Sequence, residues 1–361
     1  MTYYWLLFFI IMMLCGVSAN SANCNERLLL SLLLFFAFFA FRVGFTPDYY
    51  NYEMLFEKYH PQTFLDDRAA QEMGFQFLCQ ILPSFRMLII AFTGLYCICL
   101  YVAMKHFVGF KYYWLVWFIL FCYPPFVLGN MSGLRSGIVT CLFFLSVLVR
   151  YKYGFIKGIA LALGIMAIAY SIHRSAALLV PLLFLTSKPL NKYVIYGVYA
   201  IAAVFIFISI LFPNILNDVG YYLTVTWFGD FNYENQFSSE LSNEVGLFSI
   251  IKSLILVYLL YTTLRLSQKE PDRLNNIILK LTAFFYLLTL APSSIGLIVR
   301  FYYYFAFLCI IGSAIVVKQA KKEERIYYIA CIVLYAYWQL TYFYRGTTVV
   351  NHYAHYDTIL F

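Results

Sequence analysis

Apolar residues run through this chain in long stretches, and polar residues gather in short clusters between them. Runs of roughly 17 to 22 apolar residues are what a helix needs to cross a hydrocarbon core. They predict about twelve helices: 2 to 19, 27 to 42, 86 to 104, 112 to 128, 134 to 149, 156 to 172, 174 to 187, 193 to 213, 246 to 265, 275 to 293, 298 to 317 and 326 to 344. Two longer intervals interrupt the rhythm, about 43 to 85 and 214 to 245. In the first, "QEMGFQFLCQILPSF" sets Met73, Phe77, Leu78 and Ile81 at helical spacing, which predicts an amphipathic helix lying in a membrane interface. No internal repeat and no linker divides the chain, so residues 1 to 361 read as a single transmembrane domain. The expected class is an all-α polytopic membrane protein.

Composition agrees: 63% of the 361 residues are hydrophobic and 12% are charged, far from the balance of a soluble domain. The first run has no basic stretch ahead of it and a second run directly behind it, so it reads as a retained helix and not a cleaved signal. The nine cysteines sit mostly in apolar runs, with neither metal-ligand nor disulfide spacing, and read as inert buried thiols.

The formal net charge of +8 changes meaning once it is distributed. Numbering the loops alternately puts "KHFVGFK", "RYKYGFIK", "SKPLNK", "RLSQKEPDR" and "KQAKKEER" on one side. By the positive-inside rule that side is cytoplasmic, which turns both termini outward and assigns the basic residues to orientation, not to nucleic acid. The two long loops fall on the opposite side and are acidic, with Asp48, Glu53, Glu57, Asp66, Asp67 and Glu72 in the first. The cytoplasmic loops are too short to hold a nucleotide-binding domain.

Six arginines break this sorting by standing at or near the outer ends of spans: Arg42, Arg86, Arg135, Arg174, Arg300 and Arg345. Arg135 opens a helix after the break in "YPPFVLGNMSG", where Asn130 also lies, and Arg300 follows the break in "APSSIG". An arginine in a first helical turn opposes the helix dipole, and snorkelling outward opposes the charge bias. An external anion removes both objections. Several guanidinium forks around one cavity suit a multiply charged anion, since each grips two phosphate oxygens and stays charged. His173 and Arg174 stand together in "SIHRSAA", at what reads as a sharp return of the chain. Of the carboxylates, Asp48 and Glu72 lie nearest to spans and are candidates to receive a proton, with Asp48 or Glu72 preferred over His173 as general base. Tyr49, Tyr50 and Tyr52 offer faces for sugar rings, against the ordinary alternative of an interfacial tyrosine belt. HExxH, phosphate-cradling glycine loops, GxSxG and clustered His and Cys are all missing from the sequence, so no metal and no cofactor is expected.

These stretches resemble the EpsG family of bacterial exopolysaccharide and O-antigen polymerases, relatives of the Wzy group. The resemblance is carried by Asp48 and Tyr52 in "PDYYNYEMLF", Glu72, Gly74 and Phe75 in "QEMGFQFL", Arg135 in "GLRSGIV", and His173, Ser175 and Ala176 in "IHRSAALLVPL". The later Arg300 of "IVRFYYYF" belongs with them. Ser136 departs from the pattern, where a Gln is expected after the arginine. The resemblance implies a GT-C-like, metal-independent glycosyltransferase of the bacterial cytoplasmic membrane with an extracytoplasmic active site. Its substrate would be an oligosaccharide on polyprenyl diphosphate, and its partners a flippase and a chain-length regulator. Asp48, Glu72, Arg135 and His173 would be catalytic. Arg42, Arg135, Arg174, Arg300, Tyr49, Tyr52 and Asn130 would bind the diphosphate and glycan. A flippase of the lipid-linked unit and an O-antigen-type ligase need a similar anion site and stay open as alternatives.

Overall fold

A computed structural model describes residues 1 to 16, 23 to 60, 72 to 211, 247 to 291, 301 to 345 and 357 to 358. The long loop around 214 to 245 and Arg300 lie outside these residues, as does the side chain of Arg345. The helices are α1 Thr2–Gly16, α2 Cys24–Ala40, α3 Tyr49–Tyr59, α4 Met73–Ile81, α5 Phe85–Phe107, α6 Tyr113–Cys122 and α7 Leu134–Lys152. They continue with α8 Phe155–Ile172, α9 Lys192–Leu211, α10 Leu247–Ser267, α11 Arg273–Leu290, α12 Ala306–Gln319 and α13 Lys322–Arg345. A tight helical segment, Arg174–Phe184, lies between α8 and α9, and one turn, Tyr303–Phe305, precedes α12. The described strands are two-residue pieces: β1 Arg42–Val43 pairs antiparallel with β2 Asp357–Thr358.

Each of the twelve apolar runs contains helix, but they are not equivalent. Among the described residues five helices are long and apolar enough to cross a bilayer: α5, α7, α8, and most of α9 and α10. A sixth is obtained by joining α6 to the bent segment after it, while Thr2–Gly16, Arg174–Phe184 and Tyr303–Gln319 are shorter. The architecture is that of an all-α membrane protein, with one broken span among the described residues. The breaks follow local chemistry. After Cys122 come Tyr123, Pro124 and Pro125: a proline has no N–H to give, and it forces the preceding residue out of helical geometry. Tyr123 accordingly has φ −107° and ψ 89°, and the chain turns by 69°.

α1, α2, α5 and α6 pack around an aromatic core that includes Phe35, Phe39, Tyr96, Trp117 and Phe121, all fully buried. The buried phenols are anchored, Tyr4 donating to Phe121 O at 2.9 Å and Tyr96 to Phe126 O at 2.7 Å. α7 and α8 form an antiparallel pair, as do α10 and α11. The basic loops meet at one end of the bundle: Lys280 Nζ donates to Thr186 O and Lys188 O, and Leu190 N to Gln268 Oε1 at 2.7 Å. The acidic loop occupies the other end. There α4 buries Phe75, Gln76 and Cys79 and leaves Met73, Phe77 and Ile81 more than half exposed on the opposite face. All nine cysteines are free, and six are buried.

Candidate functional site

Three breaks in the helices converge at the acidic-loop end. The first is the bend after α6, where Pro125–Gly129 makes one wide turn, Asn130–Ser132 follows, and Gly133 (φ −85°, ψ 80°) releases the chain into α7 with Arg135 as its second residue. The second is His173, whose extended backbone (φ −154°, ψ 119°) separates α8 from Arg174–Phe184. The third is Tyr303–Phe305. Asn130 stitches the first to the third, donating to Phe126 O at 2.9 Å and Tyr303 O at 3.3 Å and accepting from Thr140 Oγ1 at 2.9 Å. Ser175 and Tyr304 share a hydroxyl bond of 2.5 Å that joins the second to the third.

α4 carries Glu72 into this convergence. Gly74 makes the approach possible: a Cβ there would lie 2.2 Å from Ser171 Oγ and 2.9 Å from the Ser171 carbonyl carbon, on the last turn of α8. We expect Gly74→Ala to push α4 away from α8 and destabilise the protein by about 1 to 3 kcal/mol, the usual range for overpacking. A lowered thermal midpoint and slower chain growth are the readouts. Ser171→Gly should restore only part of the loss, because the backbone contact remains.

Glu72 stands at the N-terminus of α4 without capping it. One carboxylate oxygen pairs with Arg135 Nη1, and the other bonds His173 Nδ1 at 2.7 Å. Arg135 Nε points at Tyr52 Oη at 3.4 Å, and its guanidinium carbon lies 5.6 Å from the Tyr52 ring centroid and 5.7 Å from that of Phe75. Two aromatic rings therefore orient the guanidinium by cation–π attraction. Burial pushes the Glu72 pKa upward, but the His173 hydrogen bond and the Arg135 charge outweigh it and hold the carboxyl below the usual glutamate range. The side chains of Arg135, His173 and Glu72 keep 30%, 29% and 18% of their surface, so the group is accessible. Arg135 Nη2 and His173 Nε2 make no hydrogen bond to the described residues, which leaves a cationic donor and an imidazole nitrogen open on either side of one carboxylate.

The other sequence candidates are placed differently. Asp48 Oδ2 accepts from Ser132 Oγ at 3.0 Å, and Asp48 N lies 3.4 Å from the same hydroxyl. That two-way lock fastens the start of α3 to the break before Arg135, and Asp48 acts in it as a positioning residue. Asn accepts the same hydrogen bond, so Asp48→Asn should polymerise within a few-fold of the parent. Asp48→Ala loses a bond worth about 1 kcal/mol and should be slower. Initial rates of glycan growth in membranes compare the two, and an inactive Asn variant would instead give Asp48 a role for its charge.

Arg42 lies inside the bundle. It is 1% exposed, with Nη1 on Phe39 O and Nη2 on Met131 O at 2.7 Å. It braces the end of α2 against the first break, where carbonyls left over at a helix C-terminus attract a cation. Asn130 is fully buried and hydrogen-bonded to main chain and Thr140. Arg86 donates to Arg42 O at 2.6 Å and to Tyr49 Oη at 3.4 Å, which ties the buried Tyr49 to the same layer. Arg174 is exposed at the rim of the second break. Ser132 and Tyr304 are the residues that sequence reasoning missed. Ser132 had only its place in "GNMSG" to signal it, and Tyr304 is one of a run of aromatics whose members look alike in sequence. Among the described residues no three His, Cys, Asp or Glu side chains come together as a metal site.

No curated protein and no solved structure matches this chain. A family model does match, that of the EpsG family, over residues 27 to 357, a stretch that contains Glu72, Arg135, His173 and every break described above. EpsG is a Wzy-like polymerase family. With nearly the whole chain inside that match, the protein belongs to the EpsG family.

Proposed function

We propose that the protein lengthens a polysaccharide by moving the growing glycan from polyprenyl diphosphate to a hydroxyl of an incoming lipid-linked unit, on the extracytoplasmic face of the bacterial cytoplasmic membrane. Beyond family membership, one observation carries the reading. Glu72 brings an open guanidinium edge and an open imidazole nitrogen to a single accessible point, at the end of the bundle opposite the basic loops. By the positive-inside rule that end faces outward.

The acceptor oxygen bonds to the anomeric carbon as the bond from that carbon to the diphosphate oxygen breaks. The electron pair leaves with the diphosphate, whose growing charge Arg135 Nη2 stabilises. The acceptor proton goes to His173 Nε2, and Glu72 on Nδ1 fixes the tautomer and stabilises the imidazolium, the division of labour of a carboxylate and histidine pair. The base is thus His173 and not Asp48 or Glu72, because both oxygens of Glu72 are already engaged and Asp48 serves Ser132.

Deleting the protein in its host and sizing the surface glycan tests the reading. A single-unit product is expected. Precursor trapped inside the cell would assign a flippase, and full-length polymer left on its carrier a ligase.

A further inference from the structure

The resting geometry raises a question that the transfer reaction alone does not answer. Among the described residues Arg135 is the cation best placed for a diphosphate, yet one of its nitrogens is already taken by Glu72. A bacterial membrane holds anionic phospholipid headgroups in large excess over any lipid diphosphate, and a bare guanidinium at an accessible surface would collect them.

We propose that Glu72 is a specificity-determining residue: its carboxylate occupies Arg135 in place of substrate, and only a diphosphate displaces it. This rests on the transfer reading above and adds to it the selection of the donor. A phosphodiester brings one negative charge and merely trades one anion for another. A diphosphate brings at least two, so it engages the open Nη2 edge and the Nη1 edge together, across the planar fork that the Tyr52 and Phe75 rings hold in place. Like charge then moves Glu72 off Arg135 but not off His173, because the two bonds use different carboxylate oxygens. Donor binding therefore leaves the carboxylate to the imidazole alone, so the pair that positions His173 is complete only once the donor is seated. Premature activation of water or of an acceptor hydroxyl is avoided by the same exchange.

Purified full-length protein in phosphatidylcholine nanodiscs, with farnesyl diphosphate and a short-chain phosphatidylglycerol, a singly charged phosphodiester, as probes, provides the test. Glu72→Gln is nearly isosteric and removes the competing charge. It should bind both probes more tightly while turning over slowly. Because one charge-assisted contact is worth roughly tenfold to a hundredfold in affinity, the phosphodiester should gain about tenfold or more and the diphosphate less, so that the preference for diphosphate shrinks. Affinities that stay unchanged or weaken for both probes would overturn the competitor role, and so would a preference that survives intact. Arg135→Ala serves as the separate control. If it binds farnesyl diphosphate as the parent does, the anion site itself is misplaced and the transfer reading fails with it. If it loses binding while Glu72→Gln shows no gain, the transfer reading stands and the selection role alone is lost.

Discussion

Arg135→Ala is expected to abolish chain growth while the protein still accumulates in the membrane. Removing one well-placed donor to a developing oxyanion typically slows an enzyme on the order of a hundredfold to a thousandfold, enough to leave mostly single-unit glycan. The substitution also strips Glu72 of its ion pair, and a half-buried carboxylate left with His173 alone destabilises the fold. The two effects separate in the double variant Arg135→Ala with Glu72→Gln. Neutralising the orphaned carboxylate should return the thermal midpoint toward that of the parent, and chain growth should not return with it. Recovery of both would reduce Arg135 to a structural partner. Arg135→Lys should rescue poorly, since an ammonium has neither the Nε that meets Tyr52 nor a plane to lie between Tyr52 and Phe75.

The same pair gives the protein an acid-sensitive joint. The Glu72 carboxyl is held below the ordinary glutamate pKa of about 4.3. A depressed carboxyl stabilises the folded state above the unfolded value, and that contribution is lost as pH falls through the folded one. The difference in thermal midpoint between the parent and Glu72→Gln should therefore be largest near neutrality and shrink below about pH 4.

How far the sequence could be read depended on the kind of signal each residue leaves. Apolar runs give length directly, so every run contains helix. They do not reveal that the chain turns by 69° at the Pro pair that follows α6, so one apolar run need not be one unbroken crossing. Charge sorting singled out Arg42 and Arg135 equally, because both lie near the outer ends of spans. What divides them is the environment of the guanidinium. Arg42 meets carbonyls freed by the end of α2 and by the break at Met131, whereas Arg135 meets a carboxylate and two ring faces. Met131 lies 89 residues from Arg42 and Glu72 lies 63 from Arg135, and no local pattern encodes such a choice. The pairing of Glu72 with His173 spans 101 residues and was equally out of reach. The resemblance placed both in one family motif set but not on one bond.

That bond decides what a substitution at His173 should do. His173→Gln preserves a donor toward Glu72 Oε1, because the side-chain amide N–H can replace Nδ1–H, so the convergence of α4 with the break after α8 should survive. The amide cannot accept a proton from the attacking hydroxyl. Positioned general bases contribute about a hundredfold to ten-thousandfold, and turnover should fall within that range while farnesyl diphosphate binds with an affinity close to the parent's. His173→Ala should lose the same turnover and some stability besides, since Glu72 then keeps Arg135 as its remaining partner. A Gln variant that polymerises at the parental rate would place the base elsewhere, and the carboxylates of α3, half-buried Glu53 and exposed Glu57, would then be the groups to test. A Gln variant that fails to bind the diphosphate would show that His173 holds the donor as well as the proton. Lost turnover with binding retained assigns the anion to Arg135 and the proton to His173, with Glu72 joining the two across one carboxyl group.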